Sequence, residues 1–332
     1  MNYKESVEIL KEIKKAKSIL VNCHRSPDPD SVGSALAMQR VLTNLGKTAK
    51  VIYPGEELQK HLSFLNGFEK IELVDFSTFD FSKYDLFIVL DSSSWYMVSG
   101  NKEIPLPKIP MFVIDHHLTN EKYGKINLVD EKVTSTGELL YKVFEDWETR
   151  IDDKTASSLL TGIIGDTGVF RYPGKNWPTL DVAGKLMKAG ADKDMIVFNL
   201  YSSSDISLVK FWGEVLRRME LDKEHKFVWC AIPYEKYLEL QSMKLGRESA
   251  AGQFLAIVNG TDFGILMVED KKDSLSISLR SRTGFDTTRI ALALGGGGHI
   301  YASGAKIEGM GFNQAVDKVL ETARRLANEN KS

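Results

Sequence analysis

The chain has 332 residues, 43% hydrophobic and 27% charged, with 43 basic against 45 acidic side chains and a formal charge of −2. That length suits two domains of roughly 100–200 residues each and a core large enough to fold without disulfides or a structural metal. The near-neutral balance excludes a global pull onto nucleic acid or an anionic membrane, so any anion must be held locally, and two cysteines, Cys23 and Cys230, exclude a disulfide scaffold. The longest apolar run is the six residues Phe227 to Ile232, against the about 20 that a membrane span needs. The N-terminus is a mixed Lys/Glu stretch without an apolar signal region. A soluble, cytoplasmic protein with no membrane partner is expected.

Residues Lys4 to Ala16 carry Val7, Leu10 and Ile13 at helical spacing. A β-rich run, Ser18 to Cys23, leads to His24 and the loop RSPDPD. Met38, Val41, Leu42 and Leu45 then mark a helix that Gly46 stops. The runs KVIYP from Lys50, DLFIVLD from Asp85 and MFVID from Met111 are apolar on both faces, as buried parallel strands are. Helical stretches start at Ser135 and Asp152. Residues 1–190 therefore read as a doubly wound α/β domain with a mainly parallel sheet. Residues 191–215 read as a helical connector with a Ser-rich break. Strand-like runs start at Phe227, Gly264 and Ser274, a helix-like stretch at Glu248, and an amphipathic helix at about Phe312. Residues 216–332 thus form a smaller α/β or α+β domain.

Chemistry concentrates in a few places. His24, Asp28 and Asp30 share the loop after the first strand, where α/β folds place ligands. An imidazole and two carboxylates make a poor core but a good nest for Mn2+, Mg2+ or Zn2+. The plainer alternative is a solvated turn whose Asp30 or Ser31 caps the helix. Asp91 ends one apolar strand, and Asp115-His116-His117 ends the next. Asp166 closes a helix, against the helix dipole, and a cation would relieve it. His24, Asp28, Asp30, Asp91, His116 and Asp166 are too many donors for one tetrahedral ion and suit two ions roughly 3.5–4 Å apart. Near the C-terminus, GGGGHIYASG runs from Gly295 to Gly304, with Arg280 and Arg282 upstream. Glycine backbone around Gly297 and Gly298, His299 and a guanidinium fork offer a phosphate-holding surface. His61 and His225 have no motif around them and are expected at the surface. Trp95 is compatible with a lid or with packing.

His24-x-x-x-Asp28-x-Asp30, Asp91, Asp115-His116-His117, Asp166-Thr167-Gly168 and GGGGH, in this order, resemble the motifs of the DHH phosphoesterases with a DHH-associated C-terminal domain. The likeness spans about residues 18 to 305, and the chain is most similar to the nanoRNase/pAp phosphatase subgroup, also called exopolyphosphatase-related. Pro29 stands where the family often has Gly. The resemblance implies two divalent ions, Mn2+ first, with Mg2+ or Co2+ as alternatives. One would be held by His24, Asp28 and Asp91. The other would be held by Asp30, Asp91, His116 and Asp166, with Asp91 bridging. Asp115 would orient His116, and His117 would face the scissile phosphate. Arg280, Gly297, Gly298 and His299 would grip the far phosphate or base, and Arg171, beside Thr167, would line the nucleotide site. A metal-activated hydroxide would attack phosphorus in line, in a cleft between the domains. No basic track for long nucleic acid is visible, so short oligonucleotides or pAp are the expected substrates. Alternatives are a pApA or cyclic-dinucleotide phosphodiesterase, a pyro- or polyphosphatase, and a non-catalytic nucleotide sensor. A homodimer is left open.

Overall fold

A computed structural model describes residues 2–55, 58–172, 177–239, 250–251, 254–298 and 300–329. The chain divides between Ser203 and Ser204 into two compact units. Among the described residues no helix is long and apolar enough to cross a membrane.

The first unit holds a six-stranded parallel sheet. Its strands are β1 (Ser18–Asn22), β2 (Thr48–Tyr53), β3 (Glu72–Leu73), β4 (Leu86–Leu90), β5 (Met111–Asp115) and β6 (Ile126–Val129). Their order is β3-β2-β1-β4-β5-β6. Every residue of β4 and β5 is buried, as apolar runs in a parallel sheet require. The chain leaves β1 toward β2 on one side, while β4 returns on the other. The β1/β4 boundary is therefore the topological switch point, where open α/β sheets bind ligands outside the carboxyl ends of their strands. The edge strands β3 and β6 escaped the sequence reading because both are short and largely exposed or half-buried.

One face of this sheet is covered by helices α1 (Lys4–Lys15), α2 (Pro29–Asn44), α4 (Thr136–Asp146) and α5 (Asp153–Thr167). The other face is covered by the short helix α3 (Trp95–Ser99) and an aromatic cluster of Phe76, Phe81 and Phe87. Trp95 belongs to that cluster. Its ring meets Phe76 edge-on and its indole N–H donates to the Ile104 carbonyl at 2.7 Å, so it is packing. Helices α6 (Trp177–Lys188) and α7 (Lys193–Tyr201) complete the unit.

Helices α2 and α5 cross closely because Gly33 has no side chain. A Cβ there would lie 2.3 Å from the Ser158 carbonyl oxygen. The same crossing is stapled at its rim, where the Arg40 guanidinium grips the Asp152 carboxylate with Nε at 2.9 and 2.7 Å. Asp152 also caps α5 by accepting from the Thr155 amide.

The second unit is a mixed sheet in the order β11-β12-β10-β9-β8-β7. Its strands are β7 (Glu220–Asp222), β8 (Phe227–Ile232), β9 (Phe263–Lys271), β10 (Ser274–Ser281), β11 (Gly297–Gly298) and β12 (Ala302–Glu308). Among the described residues only β8 and β9 run parallel. Helices α8 (Ile206–Arg217) and α9 (Tyr234–Glu239) precede β9; α10 (Thr288–Ala293) and α11 (Phe312–Glu329) follow β10. The glycine-rich stretch is partly a hairpin edge, β11 against β12, rather than an open loop. A Cβ on Gly296 would sit 2.1 Å from the Gly304 carbonyl, so close strand approach itself demands glycine there. His225 is not a bare surface residue: its Nδ1 lies 2.9 Å from Asp222, which Arg324 also holds.

Two outcomes follow for stability. Gly33→Ala is expected to cost about 1–3 kcal/mol in chemical unfolding, because the helices must separate or bend. The second concerns acid. Pairing with Arg40, helped by Thr155 and opposed by burial, holds the Asp152 carboxyl well below its usual range. Its stabilisation is complete above the unfolded value near about 4 and is lost as pH falls through the lower folded value. Asp152→Asn keeps the cap but loses the ion pair. Its melting-temperature deficit should be full at pH 6 and narrow steadily below about pH 4.

Candidate metal centre

The site residues come from consecutive exits of the parallel sheet. His24 follows β1, Asp91 follows β4, and His116 and His117 follow Asp115, the last residue of β5. Asp28 and Asp30 open α2. The cap is Asp28, neither Asp30 nor Ser31: its carboxylate accepts from the Ser31 amide at 2.9 Å. Pro29 then takes the first helical position, where a missing N–H costs nothing and the fixed φ suits the helix. Asp166 sits on the last turn of α5.

These side chains converge. Asp91 Oδ2 lies 3.6 Å from His24 Nε2; Asp91 Oδ1 lies 3.6 Å from His116 Nε2 and 3.7 Å from His117 Nδ1. His24 Nε2 is 3.5 Å from Asp28, and His116 Nε2 is 3.2 Å from Asp166. Three overlapping donor sets result: His24 with Asp28 and Asp91, Asp30 with His116 and Asp166, and Asp91 with His116 and His117. Within each set the ligand atoms lie within 4.8 Å of one another.

The electrostatics suit a bound cation. Asp30 and Asp91 are 0% and 2% exposed. Burial, then the charge of Asp166, pushes the Asp30 carboxyl well above its usual range. Burial, then Asp30 and Asp28, does the same to Asp91. Burial also opposes ionisation of Asp28, but His24 and the Ser31 amide outweigh it and hold that group at about 2. Burial likewise disfavours the charged form of His116, yet Asp166 and Asp30 prevail and raise it to about 9. Among the described residues no lysine or arginine pairs with Asp28, Asp30, Asp91 or Asp166. Four carboxylates and three imidazoles, with no lysine or arginine to pair the acids, are the donor chemistry of divalent-cation sites. These residues therefore fit a metal.

Backbone and polar neighbours do the holding. Both oxygens of Asp30 accept amides at the start of α4, Thr136 N–H at 2.6 Å and Gly137 N–H at 2.9 Å. Gly162 leaves the room, since a Cβ there would lie 2.2 Å from Asp30 Oδ1. The Thr136 hydroxyl donates to Asp91 Oδ1 at 3.1 Å. Asp91 itself has φ 50, a left-handed conformation at the exit of a strand. Asn22 ties the diverging ends of β1 and β4 together, accepting from the Leu90 amide at 2.8 Å.

The expectation that Asp115 orients His116 is not met. Asp115 Oδ1 pairs with His117 Nδ1 at 2.7 Å, and its other oxygen accepts from Asn120 at 2.6 Å. The partner is His117, whose ring lies 4.5 Å from that of His116. Despite burial, His117 and Asn120 keep the Asp115 carboxyl below its usual range. Arg171 turns back onto the helix end, with Nε donating to the Gly168 carbonyl at 2.8 Å. The Thr167 hydroxyl is used within that helix end, donating to the Ile163 carbonyl. Arg280, on β10, and Gly297 and Gly298, in β11, belong to the second unit. His299 lies outside the described residues. Thr136, Gly137, Asn22 and Asn120 were missed by sequence reasoning. The signal for Thr136 and Gly137 was the helix start at Ser135, whose orphan amides need an acceptor.

Residues 18–163 match the DHH family N-terminal domain, and residues 248–329 match the DHHA1 domain. The chain carries a DHH domain followed by a DHHA1 domain. DHH phosphoesterases depend on divalent metals, and this one is a hydrolase of phosphoester bonds. It is similar to the bifunctional oligoribonuclease and PAP phosphatase NrnA of Thermus thermophilus, with 28% identity covering 97% of this chain and 94% of that protein. The Bacillus subtilis protein of the same description is 26% identical, covering 97% of this chain and 98% of the relative. Among solved structures, an exopolyphosphatase-related protein from Bacteroides fragilis superposes with a TM-score of 0.88 at 26% identity. That match covers 99% of this chain and 98% of the other.

In this DHH protein Thr136 touches both buried carboxylates. Thr136→Val should weaken Mn2+ binding about 10–100-fold, read from the electron paramagnetic resonance of free Mn2+, with Thr136→Ser recovering most of it.

Proposed function

We propose that this DHH hydrolase cleaves short oligoribonucleotides and removes the 3′-phosphate of pAp, with two divalent ions of which Mn2+ is the first choice. The observation that carries the reading is the shared position of Asp91 and His116 in overlapping donor sets at the switch point of the sheet. The near full-length likeness to two oligoribonuclease and PAP phosphatases supports the substrate class.

His24, Asp28 and Asp91 would hold one ion; Asp30, Asp91, His116 and Asp166 would hold the other. Bound there, the ions supply positive charge for the phosphate oxygens and lower the pKa of water. The protein's own contribution is preorganisation. Thr136 and Gly137 fix Asp30, and Thr136 fixes Asp91, so the carboxylates need not rearrange when substrate arrives. Asp115 holds His117 by Nδ1, which gives Nε2 the task of delivering a proton to the leaving oxygen. Recognition of the rest of the substrate is assigned to Arg280, Gly297, Gly298 and His299 of the second unit, and to Arg171. A local site of this kind agrees with a net charge near zero and with short substrates rather than long nucleic acid.

The test is a panel of pAp, di- to pentanucleotides, pApA, cyclic dinucleotides, pyrophosphate and polyphosphate with Mn2+. Hydrolysis of pAp and of the short RNAs is expected, abolished by a chelator and restored by Mn2+. Asp91→Ala should fall below about a thousandth of wild type on every substrate. Full activity in folded Asp91→Ala, or cleavage confined to pyrophosphate or cyclic dinucleotides, would overturn the reading.

A further inference from the structure

Beside the acidic centre the first unit carries a small cationic platform that the metal chemistry does not use. Arg25 follows the ligand His24 directly, and its amide donates to the Met97 carbonyl at 2.8 Å, fastening the β1 loop to α3. Its guanidinium lies over the Tyr96 ring, 4.5 Å from the centroid, and donates to the Tyr96 hydroxyl. The ammonium of Lys102 lies 5.6 Å from the centroid of the same ring. Among the described residues neither cation pairs with a carboxylate, although Asp28 lies on the same loop as Arg25. Two like charges brought to one ring repel, and the ring quadrupole offsets only part of that cost. An anion bound at either cation would relieve that repulsion. Arg25 and Tyr96 are both half-buried, so the fork is held in place before any ligand arrives.

We propose that Arg25, Tyr96 and Lys102 form a phosphate subsite beside the metal centre, taking the 5′-phosphate of the nucleoside whose 3′-oxygen is the leaving group. The proposal rests on the function given above. pAp and a 5′-phosphorylated dinucleotide share that element: each has a scissile phosphoryl on the 3′-oxygen and a second, unreacting dianion on the 5′-carbon. One subsite therefore serves both substrates. Tyr96 presents the guanidinium, and Lys102 adds charge at the solvent side.

The experiment compares kcat/KM for pApA and ApA with Mn2+ in wild type, Arg25→Ala, Arg25→Lys, Lys102→Ala and Arg280→Ala. Wild type should prefer pApA by at least about tenfold. Arg25→Ala should lose most of that preference, Lys102→Ala part of it, and Arg25→Lys should be intermediate, because an ammonium cannot reproduce the fork. Arg280→Ala should keep it. No wild-type preference, an intact preference in both Arg25→Ala and Lys102→Ala, or a preference lost only in Arg280→Ala overturns the subsite. If wild type hydrolyses neither dinucleotide, the proposed function fails. Metal-free calorimetry with 5′-AMP and adenosine then decides the subsite by itself. Tighter binding of 5′-AMP that Arg25→Ala abolishes upholds it, and equal or absent binding overturns it. Should Arg25→Ala fail to fold, Lys102→Ala, on an exposed side chain, carries the same reading.

Discussion

The structure turns on two carboxyl groups that have almost no water. Asp30 and Asp91 are enclosed among other acids, and burial and repulsion together disfavour their charged forms. Such an arrangement stands only if the surrounding chain over-determines it. Amides from the first turn of α4 clamp Asp30 from both sides, and the Thr136 hydroxyl reaches Asp91. The helix N-terminus contributes partial positive charge without contributing a cation that would compete with a metal. Glycines at positions 33 and 162 let α2 and α5 approach until their backbones nearly touch, which places Asp30 in the gap. The packing of the helical layer and the chemistry of the site are thus one problem, solved by the same residues.

Strand order explains why distant segments meet. His24, Asp91 and the His116-His117 pair are far apart in sequence, yet β1, β4 and β5 are neighbours in that order. Each strand delivers its polar residues within three steps of its last buried apolar one. The parallel sheet aligns those exits at one edge, so three loops supply most of the donors. Asp166 arrives from the helical layer instead, at the end of α5, where the dipole disfavours an acid and His116 answers it at 3.2 Å.

Much of this was legible beforehand because the signals were local. Apolar runs gave β1, β2, β4 and β5, and helix-like stretches gave α4 and α5. An acid or imidazole at the end of an apolar run is conspicuous in sequence. What escaped was relational. Thr136 is an ordinary helix residue until Asp30 is seen opposite its amide, and Asn22 is a polar end to a strand until Leu90 is seen beside it. The pairing of Asp115 with His116 was implied by the family resemblance alone, and the side-chain contact that selects His117 cannot be read from sequence. The glycines before His299 read as loop, but one of them is required by the approach of β12. Trp95 could not be assigned without Phe76, which lies in a segment with no regular pattern.

Asp91 shows how the fold and the site share strain. A non-glycine residue at φ 50 is uncommon, and here it ends a fully buried strand. Continuing the extended conformation would carry the next side chain on along the strand. The left-handed turn instead leaves the Asp91 carboxylate within 3.7 Å of three imidazoles and keeps its amide on the Ile114 carbonyl at 3.1 Å. The neighbouring strand thereby anchors the strained residue through a bond it would make in any case. A cation shared by those groups would repay both the strain and the desolvation, and it would do so only in the folded chain. Metal affinity and folding stability are therefore coupled through a single residue.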